Sequence, residues 1–137
     1  MIYEFCAENV TLLEKAMQAG ARRIELCDNL AVGGTTPSYG VTKAAVELAS
    51  DYDTTIMTMI RPRGGDFVYN DLEISIMLED IRVTAQAGSQ GVVFGALTAD
   101  KKLNKFNLEK LIAASKGMEI VFHMAFDELS DEDQLEA

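Results

Sequence analysis

Two stretches of this chain end a helix and open a strand in nearly the same way. QAGARRIEL runs from Gln18 to Leu26, and QAGSQGVVF runs from Gln86 to Phe94. In each, Ala-Gly closes a helical pattern and a β-type run begins about three residues later, the signature of repeated βα units with short connections. The rest of the chain follows the same alternation. Ile2 to Cys6 reads as a first strand, and Val10, Leu13 and Met17 as the apolar face of a first helix. Arg23 to Cys27 is a second strand, and Val41, Ala44, Ala45 and Leu48 mark a second helix. Thr54 to Ile60 is a third strand, rich in β-branched residues. Ile74, Met77, Leu78, Ile81 and Ala85 mark a long third helix closed by Gly88. Val92 to Phe94 is strand four, Asn107 is read as the cap of a fourth helix, and Ile120 to Phe122 is strand five. Strands joined through helices must lie parallel.

Parallel βα units build either an open doubly wound sheet or a (β/α)8 barrel. No GxGxxG opens the first helix, so a dinucleotide-binding open sheet has no support. Polar residues recur instead where successive strands end: Cys6, Cys27, Arg61, His123 and Asp127. Barrel active sites are assembled from such positions. The pattern therefore favours one α/β domain over residues 1–137, part of a barrel with about five parallel strands.

Charge narrows the partners. Twelve Lys and Arg stand against 22 Asp and Glu, a net charge of −10. That balance argues against a phosphate-tracking nucleic-acid surface and against an anionic membrane surface. No apolar run approaches the roughly 18 residues of a spanning helix. MIYEFCAEN lacks a basic region followed by an apolar one, so the expected compartment is the cytoplasm, where the two cysteines stay thiols. Acids crowd the last eleven residues and read as a solvated helix start, with Ser130 as the cap and Asp131, Glu132 and Asp133 filling the first turn.

Strand alternation sorts the candidate functional residues. Ile24 and Leu26 belong on the helix side, which turns Arg23, Glu25 and Cys27 inward. The same rule turns Glu4 and Cys6 inward on the first strand and leaves Tyr3 and Phe5 outward. Glu-x-Cys thus occurs on two adjacent strands, with both thiols at the C-terminal mouth. Two thiols on strands ~4.8 Å apart could grip a soft ion such as Cu(I). The plainer reading is that buried cysteine packs as a small hydrophobe, and the twenty-residue separation matches no zinc spacing. A disulfide is a further geometric option.

Three more stretches carry chemistry. In IRPRGGDF, Arg61 and Arg63 flank Pro62 and could clamp a carboxylate or phosphate. Alternatively they balance Glu4, Glu25 or Asp66. GGTTPSYG, Gly33 to Gly40, could approach an anion, but reads more simply as a turn with Ser38 capping the second helix. FHMAFD holds His123, the single histidine, on the same strand face as Asp127. Both are candidates for acid–base work beside Glu4 and Glu25.

Taken in order, ELC, GGTTPSYG, MIRPRGGDFVY, MLEDI, GVVFGALTAD and FHMAFD resemble the copper homeostasis protein CutC family. The resemblance covers essentially the whole chain. It implies a cytoplasmic (β/α)8 barrel linked to copper tolerance and binding Cu(I), with the two proposed cysteine ligands falling on Cys6 and Cys27. It attaches no enzymatic reaction. Members commonly carry arginine where Met124 stands here, and they run past 200 residues. A five-stranded part of such a barrel would leave open sheet edges and an uncovered interior face, so homo-oligomerisation through them is expected. Three functions compete: a Cu(I)-binding protein, an enzyme acting on a small anionic metabolite, and a non-catalytic interaction protein.

Overall fold

A computed structural model describes residues 4–122. Its elements are β1 Glu4–Glu8, α1 Leu13–Gln18, β2 Arg23–Cys27, α2 Tyr39–Ala49, β3 Thr55–Met59, α3 Asp71–Gln86, β4 Gly91–Phe94, α4 Lys105–Ala114 and β5 Glu119–Phe122. The strands form one parallel sheet in the order β1-β2-β3-β4-β5. Each strand therefore pairs with its sequence neighbour. Right-handed crossovers repeated in one direction put every helix on the same face, which is barrel winding rather than double winding. His123 and Asp127 lie outside the described residues. Among the described residues no helix is long and apolar enough to cross a membrane.

Strand alternation decides what packs where. Ile24, Leu26 and Ile56 face outward and bury completely against Leu13 and Met17 of α1 and Ala45 and Ala49 of α2. Ile60, Val92 and Phe94 do the same against Ile74, Met77 and Ile81 of α3 and Leu108 and Leu111 of α4. Each such side chain contributes roughly 1.5–3 kcal/mol by leaving water. The inward face carries a smaller apolar patch of Cys27, Met57, Met59 and Val93, with Val121 against it.

The sheet is curled. Arg23 Nη1 of β2 donates to Glu119 Oε1 of β5 at 2.9 Å. In a flat sheet those strands would lie about 14 Å apart, so the inner face must close on itself for the contact to form. Gly91 makes room for this. A Cβ there would collide with the Met57 thioether and come 2.6 Å from the Glu119 carbonyl oxygen.

Several boundaries differ from the sequence reading. β1 runs to Glu8 rather than ending at Cys6, because Cys6 through Glu8 remain paired with β2. Val10 stands outside α1 and is 48% exposed, since Asn9 and Leu12 adopt positive φ and delay the helix. Asn107 is not the cap of α4. Asn104 is, and its side chain accepts the Asn107 N–H at 3.1 Å. Ser38 caps α2 as expected, accepting from Val41 N at 3.1 Å.

Replacing Gly91 with alanine should lower stability by about 1–3 kcal/mol through overpacking of the inner face. Urea unfolding measures it, and an unchanged midpoint would show that Met57 can move aside at no cost.

Candidate functional site

The inner face is built from alternate residues of the first strands: Glu4, Cys6 and Glu8 on β1, and Arg23, Glu25 and Cys27 on β2. Register sets their relations. Cys6 lies opposite Glu25, and Glu8 opposite Cys27. The thiols are therefore diagonal neighbours, with Cα atoms roughly 8 Å apart from strand spacing and rise. This corrects the expectation of two thiols level at the mouth. Cys27 ends its strand, whereas Cys6 is in the middle of β1. The offset also disfavours a disulfide, which needs closer Cα atoms; both cysteines are free.

The two thiols differ in environment. Cys27 is buried and its Sγ donates to the Ala7 carbonyl at 3.5 Å. Burial, followed by the charges of Cys6, Glu25, Glu8 and Asp28, pushes its pKa up to about 11. Cys6 is exposed as a residue, yet its thiol is also raised, by partial loss of water first and then by Glu25 and Glu4. Glu25 is raised by burial and by Glu4, against the pull of Arg23. A hollow of about 100 Å³ is lined by Glu4, Cys6, Arg23 and Glu25.

The acid-balancing cation is Arg23, which sequence reasoning placed inward without giving it a partner. Its Nε lies 3.4 Å from Glu4 Oε1 while Nη1 holds Glu119. Glu119 is 96 residues away, so no local pattern could announce the pair. Arg61 and Arg63, by contrast, do not pair with Glu4 or Glu25, and each has its own set of partners. Arg63 Nε donates to Glu73 Oε2 at 2.6 Å, and its other nitrogens reach Asp66 and the Val68 carbonyl. Its guanidinium holds the Glu73 carboxyl below the usual carboxylate range. Glu73 also completes a capping box with Asn70 at the start of α3. The signal was present as Asn-x-x-Glu in NDLE.

Arg61 is 4% exposed. Its Nη1 donates to the carbonyls of Val32 (2.6 Å) and Gly34 (2.9 Å), and Nη2 to that of Gly65 (2.8 Å). The guanidinium carbon sits 4.9 Å from the Phe67 ring centroid. It thus ties the β2–α2 loop to the β3–α3 loop. A groove of about 500 Å³ runs between them, lined by Asn29, Thr35, Thr36, Arg61, Arg63 and Asp80 among others.

A one-directional parallel sheet with polar side chains gathered on its inner face and on the loops at its C-terminal edge defines a protein of the (β/α)8-barrel class, here an incomplete barrel. Residues 1–136 match the CutC family, and the chain belongs to it. It is 54% identical over 137 residues to a CutC family protein of Streptococcus pyogenes and 53% identical to one of Enterococcus faecalis. In both cases it covers its own full length and 66% of the relative, so it spans about two thirds of those proteins. A crystal structure from Streptococcus agalactiae, of a protein named as a candidate copper homeostasis protein CutC, superposes with a TM-score of 0.95 at 48% identity. That match covers 99% of this chain and 65% of the other. A deoxyribose phosphate aldolase from Aeropyrum pernix matches at TM-score 0.52 and 19% identity, over 81% of this chain and 45% of the other, a likeness of fold alone.

Because the folded environment raises Glu25, its ionised form costs stability. Within the window between its unfolded and folded pKa, the folded state binds more protons, and stability falls as pH rises. Glu25→Gln should therefore raise the thermal midpoint at pH 7.5. The gain should vanish below about pH 4, where the carboxyl is protonated in both states. A gain independent of pH would assign the effect to something other than charge.

Proposed function

We propose that this chain is a cytoplasmic copper-handling protein of the CutC type that binds Cu(I) through Cys6 and Cys27. The observation that carries the reading is the position of the two thiols: adjacent strands, one face, diagonal register. Soft thiolates select Cu(I) over hard divalent ions. Among the described residues there is no group of three or more His, Cys, Asp or Glu that could hold a metal ion, so the copper reading rests on the two thiols alone. The exposed Cys6 is the partner that must approach the buried Cys27. Both thiols bind as thiolates, so the metal has to displace their protons against raised pKa values. The surrounding carboxylates oppose thiolate formation but favour the cation once it arrives.

A second reading, an enzyme acting on a small anionic metabolite, is favoured by Glu25. A half-buried carboxyl with a raised pKa is suited to taking and returning a proton. Glu4, His123 and Asp127 are the other acid–base candidates of that reading, and metabolite turnover screens with Glu25→Gln as the control test it. The edges of β1 and β5 have no further strand beside them among the described residues, which supports pairing of two copies. A monomer at all concentrations in sedimentation velocity removes that part of the proposal.

The copper reading makes a quantitative statement about pH. Below the thiol pKa values, Cu(I) affinity should rise about tenfold per pH unit for each proton displaced. Anaerobic competition with a chromogenic chelator between pH 6.5 and 8 measures it. The Cys6→Ser, Cys27→Ser double variant should lose the site. Equal affinity in that variant overturns the assignment.

A further inference from the structure

Asp80 stands on α3 in the MLEDI stretch, to which neither reading above gives a role. It lines the groove of about 500 Å³ between the β2–α2 and β3–α3 loops. Among the described residues the ion pairs take in Glu4, Asp66, Glu73, Glu79 and Glu119 and leave Asp80 out. Its carboxylate accepts no hydrogen bond from them either. Loss of water raises the half-buried carboxyl, Glu79 raises it further, and no cation pulls it back. Two arginines line the same groove, yet neither serves Asp80. Arg63 is held by Glu73 and Asp66, and the Arg61 Nη atoms are turned to three backbone carbonyls. A carboxylate held partly away from water without a partner is costly. Its oxygens are nevertheless open, since they are not among the side-chain atoms buried without a partner.

The geometry points to a binding site in this groove for a small molecule carrying a primary ammonium group, with Asp80 as its counter-ion. An ammonium group has three N–H donors and no acceptor. The groove answers with acceptors. Besides Asp80 it holds the Thr35 hydroxyl, whose own proton goes to the Asp28 carbonyl at 3.5 Å, and the Asn29 side chain, which makes no cap bond. Pro37, Pro62 and Ile76, the last 42% exposed, give an apolar wall for the carbon body of the ligand. The volume falls within the range of small-molecule sites, roughly 300–1,000 Å³. A hard divalent metal ion would want about six to eight oxygens, several of them carboxylate, and Asp80 is the one carboxylate lining the groove. Arg61 is the opposing charge and keeps the ammonium to the Asp80 end. GGTTPSYG, IRPRGGDF and MLEDI, far apart in sequence, all contribute to this lining, whereas Glu4, Cys6, Glu25 and Cys27 do not. The site therefore stands apart from the thiols and does not depend on copper.

The test uses the 137-residue chain free of copper, titrated with propylammonium chloride at constant ionic strength. Tetramethylammonium chloride is the control cation, because it has no N–H to donate, and sodium acetate is the control anion. The Ile76 δ1-methyl resonance in ¹H–¹³C spectra is the readout, since Ile76 lies one helical turn from Asp80 on the groove wall. We expect a saturable shift with propylammonium and none with either control. Asp80→Asn should weaken that binding about tenfold or more, as loss of a charged hydrogen-bond partner does. Glu79→Gln removes a neighbouring charge that does not line the groove and should leave the binding in place. If Asp80→Asn fails to fold, the contrast between the two cations on the wild-type chain decides. An equal response to tetramethylammonium, a response to acetate alone, no saturation, or unchanged affinity in Asp80→Asn overturns the proposal.

Discussion

A parallel sheet wound in one direction has to bury its two faces by different means. Every right-handed crossover deposits its helix on the same side. The outer face therefore gains a continuous helical cover, and Ile24, Leu26, Ile56, Val92 and Phe94 lose nearly all contact with water there. The inner face receives no helix. Its side chains must cover one another, and only Cys27, Met57, Met59, Val93 and Val121 do so by apolar contact. The charged side chains and thiols of the first two strands are thereby collected on one concave surface. The candidate chemistry of this protein follows from that partition.

Charge on the inner face is unevenly matched. Arg23 serves Glu4 and Glu119 together, in partly exposed pairs that contribute about 0–1 kcal/mol each. Its larger effect is geometric, since it spans strands that only a curled sheet brings within reach. Glu25 and both thiols are left raised. Around the rim the balance is reversed. Glu73 accepts from Arg63 with one oxygen and from the Asn70 N–H with the other. One carboxylate thus caps α3 and fixes the loop that begins with Arg61.

The strand–helix alternation was legible because it is local and repeated, and the inward or outward sense of each strand followed from Ile24 and Leu26. Register was not legible. Nothing in ELC or EFC says that Cys27 pairs with Glu8, because register depends on where β1 stops, and that is set by hydrogen bonds to β2. Asn104 and Asn107 are both acceptable caps by residue type, and packing chose the first by burying Asn107. The arginine pair in IRPRGGDF looked symmetrical. The structure gives Arg63 an acid three residues on at Asp66 and another at Glu73, while Arg61 points to carbonyls. Similar sequence positions acquired opposite electrostatic states through loop geometry.

Cys27 and Arg61 are physically joined through one residue. Gly34 adopts a positive φ of 97°, and its carbonyl accepts from Arg61 Nη1 at 2.9 Å. A Cβ on the same residue would come 3.3 Å from Cys27 Sγ and 3.4 Å from Met59 Cε. The backbone of the β2–α2 loop is thus packed against the buried thiol on one side and hydrogen-bonded to the buried guanidinium on the other. A side chain there would meet both a strained φ and a tight contact. Any shift of Gly34 away from Cys27 would disturb its hydrogen bond to Arg61. One residue of the β2–α2 loop thus fixes the positions of a buried thiol and a buried guanidinium relative to each other.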